Sequence, residues 1–203
     1  MKYRSEMLNL IKARIQESIE VKKAMLDNEQ LVSAIETVAD ACVIALKNGG
    51  KILLCGNGGS AADAQHIAAE LSGRFKLDRD PLFAEALHVN SSYVTATAND
   101  YSFDVVYARL VKAMGREGDV LIGLSTSGSS VNVLNALKQA SKQGMTCIGF
   151  TGSAESEMDA LCDIQIKVPS TDTARIQEAH ILVGHIICEI VERKLYSPSG
   201  GGK

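Results

Sequence analysis

His66 and Glu70 stand one helical turn apart in the stretch Lys51 to Phe75, KILLCGNGGSAADAQHIAAELSGRF. An imidazole and a carboxylate at that spacing share a helix face. Near neutral pH such a pair can move a proton, or it can bind a divalent ion. With a step of about 100° per residue and His66 at zero, Asp63 falls about 60° away, Glu70 about 40° and Arg74 about 80°. Ala64, Ile67, Ala68 and Leu71 lie outside that arc, so one polar stripe runs down an Ala-rich helix. The plainer reading is an i,i+4 pair that only supports a helix surface.

A second set of such residues tilts that balance. ARIQEAHILVGHIICEIVERKL is apolar almost all the way round, through Ala179, Leu182, Val183, Ile186, Ile187, Ile190 and Val191. A helix of that kind is buried, within one subunit or at the centre of an oligomer, and its polar residues need partners. With Gln177 at zero, His185 falls about 80° away and about 12 Å along the axis, so the two share a face. His180, at about 300°, points elsewhere and reads as structural. Two imidazoles and a carboxylate suit zinc or a similar ion, and equally an acid and a base. The residues alone leave both open.

Two turns could hold the substrate of such chemistry. Gly56-Asn57-Gly58-Gly59-Ser60 follows an apolar strand and precedes the helix of His66. It departs from the dinucleotide fingerprint, having Ala61 at the sixth position and no acidic residue about 20 residues on at the end of a second strand. No Gly-Lys-Ser/Thr follows, so it is not a Walker A loop. The second turn, Ser125-Thr126-Ser127-Gly128-Ser129-Ser130, offers hydroxyls and backbone N–H groups at the start of a helix. Many donors, helix dipoles and no Lys or Arg make an uncharged cradle for a phosphate.

These groups need a frame, and the pattern supplies one. Two amphipathic helices, over 3–26 and from Leu31 to Leu46, precede the first strand, Ile52 to Cys55. Strands are then expected at Leu82–Val89, Asp119–Leu124, Met145–Phe150 and Asp163–Val168, with helices at Ser91–Ala98, Phe103–Met114, from Val131, at Glu155–Leu161 and from Thr173 to about Tyr196. Apolar strands alternating with helices predict an α/β fold: a three-layer, doubly wound parallel sheet with an N-terminal helical segment. Ligands then lie beyond the C-terminal ends of the strands, where both turns fall. The expected divisions are 1–48 for the helical segment, packing on the domain or a subunit interface, 49–196 for the α/β domain and 197–203 for a flexible tail.

The 203 residues suffice for one well-packed domain with an appended segment. Apolar residues at 46% and charged ones at 22% make an ordinary soluble composition. A net charge of −3 without a basic run argues against nucleic acid, and no apolar run reaches the roughly 18 residues of a membrane helix. The N-terminus has no secretory pattern. The five cysteines form no C-x-x-C and read as reduced core residues of a cytoplasmic protein.

At GNGGSAADAQHIAAEL (56–71), TATANDY (95–101), GDVLIGLSTSGSS (118–130) and RIQEAH-x4-H (175–185), the chain resembles the phosphoheptose isomerases of the sugar isomerase (SIS) fold. The motifs agree in order and spacing over about 130 residues. The resemblance implies an aldose–ketose isomerase converting sedoheptulose 7-phosphate to D-glycero-D-manno-heptose 7-phosphate, the first step toward nucleotide-activated heptose for lipopolysaccharide or other surface glycans. It implies a cytoplasmic homotetramer with interfacial active sites and one zinc per subunit. Glu70 would be the general base and His185 the general acid. His66, Glu70, Gln177 and His185 would bind zinc. Asn57, Gly58, Gly59, Ser60, Glu70, Asn99, Asp100, Ser125, Thr126, Ser127, Ser130 and Gln177 would contact the substrate. Asp63 and Arg74 join on helical geometry alone. Ser129 stands where many relatives have Asn, and Ser102 where a Gly often follows the NDY motif. These departures bear on fine substrate preference.

Two alternatives share the fold. One is a non-catalytic paralogue that binds the bacterial replication initiator, whose known version lacks the equivalents of Glu70 and His185. The other is an SIS protein acting on or sensing a different phosphosugar, which lacks the RIQEAH-x4-H helix and the His66/Glu70 pair. This chain keeps all of these residues.

Overall fold

The computed structural model describes residues 2–196, and the expected tail 197–203 lies outside the described residues. Two helices lead the chain, α1 (Lys2–Leu26) and α2 (Glu29–Lys47). Asn28 caps α2 by accepting the Leu31 amide, the role expected of a short polar side chain before an apolar-periodic run. The sheet strands are β1 (Ile52–Gly56), β2 (Ala84–Ala86), β3 (Val120–Leu124), β4 (Thr146–Thr151) and β5 (Ile164–Lys167). Helices α3 (Gly59–Ser72), α4 (Ser91–Asp100), α5 (Val106–Met114), α6 (Val131–Lys142) and α7 (Thr173–Tyr196) complete the described chain.

All strand pairs are parallel, in the order β2-β1-β3-β4-β5. Alternate side chains of each strand enter two cores. Ile52, Leu54, Ile122 and Phe150 pack with α2, α3 and α7, whereas Leu53, Leu121 and Cys147 pack with α5 and α6. A sheet buried on both faces explains why β1 and β3 are apolar throughout. The three-layer, doubly wound reading holds, and α2 is an integral part of the first core.

Three expected elements differ most from the pattern. The strand placed at Leu82–Val89 pairs only over Ala84–Ala86, because it is an edge with β1 as its sole neighbour and its Phe83 lies exposed. The helix placed at Phe103–Met114 begins as a 3-10 turn, Phe103–Val105, whose Asp104 carbonyl accepts the Asn135 amide. The helix placed at Glu155–Leu161 is a 3-10 turn over Glu157–Ala160, closed by a Ser156/Asp159 capping box.

The last helix is half covered. Ile176, Ala179, Val183, Ile187 and Val191 are buried, but Ile186 is 37% exposed, so the expected all-round burial is not met within one chain. On α1, Met7, Leu8, Ile11, Ile15 and Ile19 are exposed as well. At its C-terminal end α1 buries Met25 in the first core with Val21 packed against it, and further up it is tied down by polar contacts: Ser18 donates to Glu178, and Arg175 donates to the Arg14 carbonyl.

Candidate active site

Strand order makes the site. β1 and β3 are neighbours whose connections leave in opposite directions across the sheet, β1 next to β2 and β3 next to β4. A crevice at such a switch point is where ligands bind in open α/β sheets. The two turns stand there, at the C-terminal ends of β1 and β3.

The helices that follow, α3 and α6, start at Gly58 and Ser130 without a side-chain cap. The Ser60, Ala61 and Val133 N–H groups are bonded within the fold, but those of Gly59, Val131 and Asn132 have no partner among the described residues, and with the positive dipole ends they are left for an anion. The turns are tied together by an amide pair: Asn57 Nδ2 donates to Asn132 Oδ1 and Asn132 Nδ2 donates to Asn57 Oδ1, both at 2.9 Å. Asn132 Oδ1 also accepts the Val133 amide, which fixes its orientation and so that of Asn57. Ser125 and Ser130 bond through their hydroxyls at 3.0 Å, and Ser127 and Ser129 do so at 2.8 Å. The buried Tyr107 hydroxyl donates to the last carbonyl of β1, Gly56 O, at 2.6 Å.

The chemical groups gather one helix further in. His66 Nε2 lies 3.0 Å from Glu70 Oε1 and 3.3 Å from His185 Nε2. One ligand atom from each of the three lies within 4.8 Å of the others. Three electron-rich atoms this close cannot satisfy one another with the single proton each contact accepts, whereas a divalent cation satisfies all three. The donor set therefore fits zinc. Phe75 stacks on the His185 ring at 5.5 Å with 9° between planes. The cluster is half open to solvent, the His66 side chain being 49% exposed.

Among the four expected metal ligands, the structure brings together His66, Glu70 and His185. A Cβ on Gly59 would lie 2.6–2.8 Å from the Gln177 amide, so that side chain rests on the bare glycine at the start of α3.

Other expected residues fall as follows. Ser60 and Ser125 are buried at the turn bases. Asn99 and Asp100 are exposed at the end of α4, bonded to each other at 3.0 Å. Asp63 is half-buried with Oδ2 unpartnered, and burial pushes its carboxyl up to about 6 against the opposing pull of His66. Arg74 is exposed and makes no side-chain hydrogen bond among the described residues. His180, expected to be structural, is fully buried and bonded to the Thr151 carbonyl at 3.2 Å. All five cysteines are free, four of them buried, and burial raises their thiols well above the ordinary range.

Sequence reasoning missed Asn132, Tyr107 and Phe75. Asn132 carried a signal: a polar residue in the first turn of an apolar-periodic helix, opposite a glycine turn. Tyr107 and Phe75 carried none, since their roles depend on which strand end and which helix they meet.

An SIS domain model matches residues 15–152. The phosphoheptose isomerase of Burkholderia pseudomallei is 51% identical over 189 residues, 93% of this chain and 96% of that protein. The structure of the phosphoheptose isomerase of Neisseria gonorrhoeae is 43% identical with a TM-score of 0.86, covering 92% of this chain and 98% of the other. That of the Francisella tularensis phosphoheptose isomerase is 37% identical with a TM-score of 0.88 over the same shares. The chain belongs to the phosphoheptose isomerase family of SIS-domain proteins.

Proposed function

We propose that the chain interconverts sedoheptulose 7-phosphate and D-glycero-D-manno-heptose 7-phosphate as a cytoplasmic homotetramer, supplying heptose for lipopolysaccharide or other surface glycans. The observation that carries the reaction is the convergence of His66, Glu70 and His185 beside an uncharged phosphate cradle. The phosphate sits against the turns 56–60 and 125–130, and Asn57, Ser127, Ser130 and Gln177 orient the sugar chain toward the trio. Glu70 takes the proton from C1 of the ketose and returns it to C2, while His185 donates a proton to the C2 oxygen and accepts one from the C1 hydroxyl. The enediol formed between these steps keeps all its atoms and needs no redox partner. His66, Glu70 and His185, with Gln177 as the fourth ligand, are the residues that would hold zinc, which when bound would polarise the sugar oxygens. A carboxylate on a metal is a weaker base, so Glu70 serves both roles only by sharing its two oxygens between them.

A coupled assay comparing sedoheptulose 7-phosphate, fructose 6-phosphate and glucosamine 6-phosphate tests the substrate. Turnover of the heptulose alone is expected, and preference for either hexose phosphate would move the protein to another SIS activity. Glu70→Gln should lower kcat roughly a hundred- to ten-thousandfold with the oligomer intact. Normal turnover in that variant removes Glu70 as the base.

A further inference from the structure

The segment between α3 and β2 is fastened by one ion pair that no part of the proton transfer uses. Arg79 Nε lies 2.9 Å from Glu192 Oε1, and each side chain is 1% exposed. The rest of the guanidinium goes to carbonyls: Nη2 to Glu70 at 2.9 Å, and Nη1 to Leu71, Gly73 and Asp80 at 2.9, 3.1 and 3.0 Å. Those of Glu70 and Leu71 are orphan carbonyls of the last turn of α3, which a cation at a helix C-terminus satisfies well. Glu192 in turn accepts three successive amides, Phe75 at 3.0 Å, Lys76 at 2.9 Å and Leu77 at 3.1 Å.

Stability alone does not account for this arrangement. Two buried charges cost several kcal/mol each to desolvate, and apolar residues of the same volume often fold as well or better. The pair's partners are the backbone of Glu70 and the backbone of Phe75, whose ring is stacked on His185. Glu192 sits seven residues after His185, hence on the same face of α7. The two ends of the ion pair thus reach both sides of the reacting centre. We infer that Arg79 and Glu192 form a positioning unit that sets the Glu70 carboxylate and the His185 imidazole at working separation. The inference rests on the reading of those two residues as the proton-transfer groups.

Arg79→Lys and Glu192→Gln test it, with Glu70→Gln as the reference. In folded protein both should lose about 10- to 100-fold in kcat, with KM for sedoheptulose 7-phosphate within about threefold, because the phosphate turns are untouched. Both should also bind zinc more weakly in competition with a chromogenic chelator. Should Glu192→Gln fail to fold, Arg79→Lys decides, since it keeps the charge pair and loses only the fan of carbonyl contacts. Wild-type kcat and zinc affinity in folded Arg79→Lys, even with a lowered Tm, would mean a purely structural pair and overturn the inference. An active Glu70→Gln would sink the proton-transfer reading itself, whereas an inactive Glu70→Gln beside a wild-type Arg79→Lys sinks only the positioning role.

Discussion

Among single residues, His180 shows how the same side chain can stand in one helix for two unrelated purposes. Five residues before His185, it points away from the site into the first core, against the Phe150 ring and the Thr151 carbonyl. Burial pushes its pKa down to about 4, only partly resisted by that carbonyl. Above pH 6.5 the folded and unfolded states are both neutral, and His180 adds no pH dependence. Below it the unfolded chain takes up a proton that the folded one refuses, so stability falls as the pH drops from about 6.5 toward 4. Between about pH 7 and 5 this one group should cost about 2 kcal/mol in urea unfolding. His180→Phe should flatten that slope, and an unchanged slope would place the acid sensitivity elsewhere. The helical wheel was enough to separate His180 from His185. It could not show that Gln177 would lie on Gly59, because that depends on how far along α3 the last helix docks.

At the level of elements, most of the frame was legible and its joints were not. Apolar runs of strand length, each followed by a helical period, give the layers and their alternation, and Asn48-Gly49-Gly50 marks the end of α2. The buried carboxylate of α7 was not legible: on the wheel that puts His185 at about 80°, Glu192 falls at about 60°, in the polar sector with Gln177 and His185 and outside the apolar arc. Nor was its partner Arg79, since it lies in a charged loop whose path depends on tertiary contacts. Burial pushes the Glu192 carboxyl up, but the amides of Phe75 to Leu77 and the Arg79 guanidinium more than offset this and hold it below the ordinary range. The serine turn has a joint of its own. Gly128 has φ +66°, and a Cβ there would stand 2.2 Å from the Ser156 hydroxyl oxygen. Gly128→Ala should therefore cost about 2 kcal/mol or more, roughly 4–8 °C in Tm, from left-handed strain and displacement of Ser156. KM for the phosphosugar should rise with it, and an unchanged Tm and KM would mean that the turn adapts freely.

Taken as a whole, the described chain leaves apolar surface in places that a solitary protein rarely would. Val32, Ile35, Ile186 and Ile190 line a groove of about 440 Å³ between α2 and α7, and α1 extends its own apolar row. No helix among the described residues is long and apolar enough to cross a membrane. The proposed tetramer gives these faces an occupant. Ile15 is 57% exposed, so a charge there should change the stability of an isolated chain by no more than about 0.5 kcal/mol. In the tetramer, Ile15→Glu should instead split the assembly, seen by light scattering as a smaller particle. A mass equal to wild type would remove this part of α1 from the subunit contacts.

The amide pair between Asn57 and Asn132 also bears on how the protein ages. An asparagine followed by glycine is the dipeptide most open to spontaneous deamidation, because a bare glycine lets its backbone nitrogen attack the side-chain carbonyl carbon. Asn57-Gly58 is such a dipeptide, at the mouth of the proposed phosphate cradle. With both ends of its carboxamide bonded to Asn132, Asn57 is not free to turn toward that nitrogen. Conversion to aspartate would place a second acceptor against Asn132 Oδ1 and bring a negative charge to the proposed phosphate site. The contact that joins the two turns is therefore also a guard on the chemical lifetime of the site.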